Sequence, residues 1–242
     1  MQKKTYAMLY TLPKKYKNIY FDLDRTLWDF ETNSEKTLYH LVERYAPLLL
    51  SRFNEFLTIY YQINEELWLQ YRDGQLKKEV LRIKRFSDAF AQMGLEHIDF
   101  CEQLADDYIS ESPLKTALFP HAIEVLEYLK SKNYRLFLLT NGFKEVQVVK
   151  IKHSGLEPFF EKMITSEEAG YQKPHAKIFE YALKTVNAKK TQSLMVGDDL
   201  ENDIYGAQSF GMDAVFFNPK GIPHEAKPAF EIQSLLELKE ML

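Results

Sequence analysis

The spacing of apolar and polar positions changes along this chain, and the changes divide it. Ile19-Tyr20-Phe21 is a short apolar run stopped by Asp22-Leu23-Asp24, which predicts a buried strand from Asn18 to Asp22. From Glu31 to about Ser112, apolar residues return every three or four positions. Leu38, Leu41, Val42 and Tyr45 do so first, then Phe53, Phe56, Leu57, Tyr60, Tyr61 and Ile63, running on through Leu67, Trp68 and Tyr71. Val80, Leu81, Ile83, Phe86, Phe90 and Met93 repeat the pattern up to Gly94, a C-cap signal, and Leu104, Tyr108 and Ile109 give one more helix. No strand pattern interrupts this block, and its aromatic residues read as the core of a helical bundle. Pro113 marks the exit.

Beyond Pro120 the pattern alternates. Apolar runs at 134–142, 163–166, 193–199 and 213–218 read as strands, and helical patterns at 122–132, 144–153, 175–186 and 202–210 separate them. Strands joined by helices of this length imply a parallel sheet with helices on both faces. The expected fold class is therefore α/β: a doubly wound parallel sheet with an inserted α-helical domain. The core would comprise residues 1–29 and 113–242, and the insert residues 30–112. Residues 1–16 read as a short leader with some order between residues 6 and 12.

Composition narrows the choice of partners. The chain has 242 residues, is 45% hydrophobic and 27% charged, and carries a net charge of −4. That balance is ordinary for a globular protein and gives no electrostatic footprint for a nucleic acid polymer or an anionic membrane. Cys101 is the single cysteine, so no intramolecular disulfide forms, and its helical context reads as a small core residue. Met1 to Lys17 carries basic residues but no continuous apolar run of signal-peptide length, and no window approaches a membrane span. The expected protein is reduced, cytoplasmic and soluble, a monomer or homodimer acting on a small molecule. The six histidines, His40, His97, His121, His153, His175 and His224, show no ligand spacing.

In open parallel sheets, ligands bind outside the carboxyl ends of the strands. Here those ends carry Asp22 and Asp24, then Thr140 and Asn141, then Asp198 and Asp199, while Lys173 precedes a helix in Gly170-Tyr171-Gln172-Lys173-Pro174. Acids that converge repel one another unless a cation lies between them. Hard oxygens from Asp22 and Asp198, with a backbone carbonyl, suit Mg²⁺. Lys173, Thr140 and the N–H groups after Asp22 could hold phosphoryl oxygens. A carboxylate nucleophile divides hydrolysis into two displacements, and a neighbouring acid supplies and removes the proton.

These residues carry a resemblance. Asp22-Leu23-Asp24-Arg25-Thr26, Thr140-Asn141-Gly142, Lys173-Pro174 and Gly197-Asp198-Asp199-Leu200-Glu201-Asn202-Asp203 are similar, in order, to the four motifs of the haloacid dehalogenase superfamily. The helical insert resembles the cap of one branch. The resemblance implies that Asp22 is the nucleophile and a Mg²⁺ ligand. It makes Asp24 the acid/base whose carbonyl also meets the metal, and Asp198 the remaining metal ligand. Thr140, Asn141 and Lys173 would bind the phosphate, and Asp203 would support the lysine or metal-bound water. Arg25 and Asp199 stand where many members carry glycine and a small hydroxyl residue. Members that dehalogenate lack the acid at the position of Asp24, so the implied reaction is phosphomonoester hydrolysis. Phosphonate cleavage would need a cap lysine, and Lys77, Lys78 and Lys84 lie on a charged helix instead. Leu27-Trp28-Asp29-Phe30-Glu31 and the cap length resemble the branch that hydrolyses nucleoside 5'-monophosphates, the pyrimidine 5'-nucleotidases. Trp28 and Phe30 would either stack on a base or sugar or simply pack the hinge. A sugar-phosphate phosphatase or phosphomutase remains an alternative. So does a catalytically silent phosphate-binding protein, although none of the four motifs is lost. A receiver domain is disfavoured, because its acceptor aspartate ends a middle strand and it has no helical insert.

Overall fold

The computed structural model describes residues 16–95 and 99–242; the expected leader order at residues 6–12, with His97 and Ile98, lies outside the described residues. Six strands form one parallel sheet: β1 (Asn18–Phe21), β2 (Arg135–Thr140), β3 (Lys162–Thr165), β4 (Ser193–Gly197), β5 (Asp213–Phe217) and β6 (Phe230–Ile232). Their order is β3-β2-β1-β4-β5-β6. The first strand therefore sits in the middle, and the chain builds outward on one side and then on the other. That reversal at β1 is the topological switch at which such sheets open a crevice.

Burial explains the near-continuous apolar strands. All four residues of β1 are buried, as are the last five of β2 and all of β4, as expected when helices cover both faces of a parallel sheet. Tyr20, Phe137, Leu139, Ile164, Met195 and Ala214 point to one face and pack with Ile178, Phe179 and Ala182 of α8 (Ala176–Thr185) and Ala207 of α9 (Gly206–Phe210). Intervening residues such as Leu136 and Leu138 point the other way and are equally buried. On α5 (Ala122–Ser131), Val125, Leu126 and Leu129 are buried too.

The predicted helix from residue 202 to 210 is divided. Leu200–Tyr205 forms a wider π-helical turn, and regular helix begins at Gly206. A Cβ at Gly206 would lie 2.9 Å from the Cα of Pro174, so the missing side chain lets this helix approach the lysine loop. The sequence pattern offers no element after Asn218, yet β6 and α10 (Leu238–Met241) follow. Three residues at a sheet edge are too few to show a period.

The described chain divides into two compact units. One contains the residues up to Leu27, Phe119–Asn141 and Pro158–Leu242; the other contains Trp28–Leu118 and Gly142–Glu157. The second unit is built on α1 (Phe30–Tyr45), α2 (Phe53–Arg72), α3 (Lys78–Gln92) and α4 (Cys101–Glu111). Asp29 caps α1, its carboxylate accepting from the Thr32 N–H at 3.0 Å and the Thr32 hydroxyl at 2.7 Å. The amide of Asn33 clamps the returning chain at Ala117, donating to its carbonyl at 2.8 Å and accepting from its N–H at 3.0 Å. Cys101 opens α4 as a buried residue, and burial pushes its thiol up to about 11.

The sequence reading assigns all of 113–242 to the core, whereas Gly142–Glu157 forms part of the compact unit that contains the helices of Trp28–Leu118. The packing of α6 (Lys144–His153) and the residue before it gives the reason. Phe143 stacks on Trp68 at 5.0 Å and meets Tyr71 edge-on at 5.5 Å, and Glu145 pairs with both Lys78 and Arg82. Trp28 is 0% exposed, its indole N–H donates to the Lys115 carbonyl, and the Lys150 ammonium covers its ring at 4.1 Å. It is packed at the start of the helical unit and leaves no face for a base. Among the described residues, no helix is long and apolar enough to cross a membrane.

Candidate active site

β1 delivers Asp22 at its carboxyl end, where the Asp22 N–H still donates to the Val196 carbonyl at 2.9 Å. That bond joins β1 to the end of β4, which continues into Gly197 and Asp198. Asp22 is thereby brought beside the acids of a segment far along the chain. Asp22, Asp198 and Asp203 each offer an oxygen, and these oxygens lie within 4.8 Å of one another.

Lys173 enters the same crevice from the loop before α8 and is 2% exposed. Its ammonium donates to Asp22 Oδ1 at 2.6 Å, Asp203 Oδ1 at 2.6 Å and the Leu139 carbonyl at 2.8 Å. Three acceptors satisfy three ammonium protons, which fixes the lysine's direction. The loop that presents it is held by Asn141. The Asn141 amide donates to the Lys173 carbonyl at 2.9 Å and accepts from the Lys173 N–H at 2.8 Å. Both ends of that amide grip the lysine's own backbone. Thr140, the last residue of β2, is buried beside it in sequence.

Asp203 lies on the π-helical turn and is 1% exposed. Besides the lysine, it accepts from the Asp199 N–H at 3.2 Å. A Cβ on Gly197 would stand 2.2 Å from its carboxylate, so glycine at the end of β4 makes room for the acid. Asp199 caps the turn by accepting from the Glu201 and Asn202 N–H groups, each at 2.9 Å. Thr26, which the sequence reading leaves without a role, donates its hydroxyl to Asp198 Oδ1 at 3.1 Å. Arg25 has φ 65°, a left-handed conformation that explains why glycine suits this position.

The electrostatics follow from crowding. Burial is the main cause that raises Asp22 to about 7, with Lys173 opposing it and Asp203 and Asp24 adding to it. Burial and the charges of Asp22 and Asp203 hold Asp198 well above the usual carboxylate range, while Arg25 opposes them. Asp203 is raised by burial and Asp199 against the pull of Lys173. For Lys173 the order differs: burial opposes its charge, yet the paired acids raise it overall. One ammonium does not balance three carboxylates, and a hard divalent cation fits the donor set that remains. Both oxygens of Asp203 are engaged by Lys173 and Asp199, so Asp22 and Asp198 are the side chains suited to hold it.

Of the residues singled out in the sequence, Lys173 bonds Asp22 and Asp203, Asp198 offers an oxygen within 4.8 Å of theirs, Asn141 fixes the lysine, and Thr140 and Asp24 adjoin them along the chain. The Leu139 carbonyl and the Thr26 hydroxyl are additions. A backbone acceptor leaves no trace in residue type, whereas Thr26 sits at a fixed offset from Asp22 and could have been weighed.

Comparison with known proteins follows the same residues. A family model described as haloacid dehalogenase-like hydrolase matches residues 19–217. The chain is 29% identical over 231 residues to the pyrimidine 5'-nucleotidase PynA of Streptococcus pneumoniae, covering 94% of this chain and 95% of that one. It is 29% identical over 231 residues to the pyrimidine 5'-nucleotidase YjjG of Escherichia coli, covering 94% and 98%. The crystal structure of Bacillus subtilis YfnB, described as bound to magnesium, superposes with a TM-score of 0.84 at 28% identity, covering 94% of this chain and 98% of that one.

Proposed function

Because the chain belongs to the haloacid dehalogenase-like hydrolases, we propose that it is a Mg²⁺-dependent phosphatase acting on a small phosphomonoester, a nucleoside 5'-monophosphate. The observation that carries the reading is the lysine ammonium bridging Asp22 and Asp203 at 2.6 Å each, with Asp198 in the same acid cluster. This arrangement gives an anionic nucleophile a fixed cation and a place for a second one. The names of the two nucleotidase relatives support the choice of substrate.

Asp22 is the nucleophile. Its carboxylate attacks phosphorus in line with the ester oxygen, forming an aspartyl-phosphate as the P–O ester bond breaks. Asp24 gives its proton to the departing alkoxide. It then takes a proton from water, which attacks the aspartyl-phosphate, releases inorganic phosphate and restores Asp22. Thr140 holds a phosphoryl oxygen; Lys173, bonded to Asp22, Asp203 and the Leu139 carbonyl, places a fixed positive charge beside the nucleophile to offset the phosphate's charge, and Asn141 acts by positioning the lysine. Mg²⁺, held by Asp22, Asp198 and the Asp24 carbonyl, would offset the repulsion between nucleophile and phosphate.

The test is a screen of nucleoside monophosphates, ribose 5-phosphate and an aryl phosphate, with and without Mg²⁺. The reading expects metal-dependent release of phosphate, fastest from nucleotides. No turnover of any ester would overturn the enzyme assignment. Faster turnover of sugar phosphates than of nucleotides would overturn the substrate alone.

A further inference from the structure

The segment that leads to Lys173 carries a buried hydroxyl whose partner lies at the end of β2. β2 and β3 stay in register to their last residues, with Leu139 opposite Ile164 and Thr140 opposite Thr165. The next residue on one strand is Asn141, and on the other it is Ser166. Ser166 is 4% exposed, and its hydroxyl donates to the Asn141 carbonyl at 3.3 Å. The reaction as derived above makes no use of it.

Ser166 opens α7 (Ser166–Ala169), a single helical turn fixed at both ends. Thr165 and Glu168 form a capping box at its start, and Gly170, left-handed at φ 71°, ends it. Tyr171 and Gln172 then lead to Lys173. The turn is a short, stiff arm between the end of β3 and the lysine. A serine in a helical segment commonly turns its hydroxyl back to the backbone of that segment. This one reaches across to the neighbouring strand end.

Asn141 is therefore held at two places. Its carboxamide bonds both backbone groups of Lys173, the carbonyl at 2.9 Å and the N–H at 2.8 Å, and its own carbonyl accepts from Ser166. A trans peptide is planar and turns as one piece, so a single hydrogen bond to its carbonyl sets the plane that follows Asn141. Released from Ser166, that plane can rotate at the strand end and carry the carboxamide with it. We propose that Ser166 is a positioning residue for the phosphatase reaction, and its part in catalysis rests on that reading. It fixes Asn141, and through Asn141 the path by which Lys173 reaches Asp22 and Asp203. Ser166 itself touches none of the three charged groups by any hydrogen bond in the structure. At 3.3 Å its bond is long, so its contribution is one of direction and its effect moderate.

The experiment follows amide hydrogen exchange by NMR in the full chain, for wild type, Ser166→Ala, Asn141→Ala and the double variant. Hydrolysis of an aryl phosphate with Mg²⁺ is measured alongside. Ser166→Ala removes one oxygen, so the fold persists, and circular dichroism checks it. The substitution should speed exchange of the Lys173 N–H, the donor to Asn141 Oδ1, by about threefold or more. The Asp22 N–H, which donates to the Val196 carbonyl, should exchange as in wild type. The kcat should fall by a similar factor while KM stays within about twofold. In the Asn141→Ala background the same substitution should add nothing, because the carboxamide through which Ser166 acts is gone. Unchanged exchange at Lys173 would overturn the proposal. So would equal acceleration at Lys173 and Asp22, the mark of general loosening, or a fully additive effect in Asn141→Ala. Turnover by wild type with unchanged Lys173 exchange in Ser166→Ala would remove the role of Ser166 and leave the phosphatase. The expected exchange pattern without turnover of any ester would remove the phosphatase and leave Ser166 holding the lysine loop.

Discussion

Lys173 concentrates the electrostatics of the site on one atom. Its ammonium meets Asp22, Asp203 and the Leu139 carbonyl, and its backbone is held by Asn141. Asp22→Asn keeps the shape but removes the carboxylate proposed as the nucleophile. We expect kcat for an aryl phosphate to fall by at least about 10³-fold with near-native circular dichroism; a rate close to wild type would exclude Asp22 as the nucleophile. Asn141→Ala leaves every reacting group in place and loosens the lysine. Loss of two hydrogen bonds should cost about 1–3 kcal/mol, seen as a slower kcat and a lower urea midpoint. Arg25→Gly relieves a left-handed arginine at φ 65°. Stability should rise by up to about 1 kcal/mol, the left-handed strain removed less the added freedom of glycine in the unfolded chain.

At the scale of elements, the segment after β2 matters most. By sequence pattern α6 is an ordinary crossover helix between β2 and β3. By packing, its start belongs to the helical unit, through Phe143 on Trp68 and Glu145 on Lys78 and Arg82. Phe143→Ala should therefore destabilise that unit, by about 3 kcal/mol for a buried aromatic side chain, measurable as protease sensitivity within α2 and α3. The periodic segments were legible because the apolar stripe is written locally: α6 is observed over the residues predicted, and β1, β2 and β5 fall within a residue or two of theirs. The π-helical turn at Leu200–Tyr205 was not legible. Its hydrogen bonds are stabilised by Asp199 as a cap and by the demands of Asp203 and Lys173, none of which alters the apolar spacing.

For the whole molecule, the acid cluster links metal, protons and stability. Without a cation the folded protein holds Asp22 near 7 against an ordinary 3.8, so it binds more protons than the unfolded chain across that window. This contribution to stability is present below the unfolded pKa and is lost as pH rises toward 7. A cation that binds only the folded state restores it. Mg²⁺ should raise Tm at about pH 8 and much less at about pH 5, and scanning calorimetry with and without Mg²⁺ measures the difference. An equal effect at both pH values would detach the metal from these carboxylates. The sequence by itself determined the alternation of strands and helices, the helical insert and the acids at the strand ends, because each is a matter of neighbours a few residues apart. It also carried the family likeness that the comparisons bear out. Only the tertiary structure decided that Asn141 grips Lys173, that Asp203 shares the lysine with Asp22 and that Trp28 is fully buried. Those facts depend on contacts between residues far apart in the chain, and residue type and spacing do not encode where a side chain will find its partner.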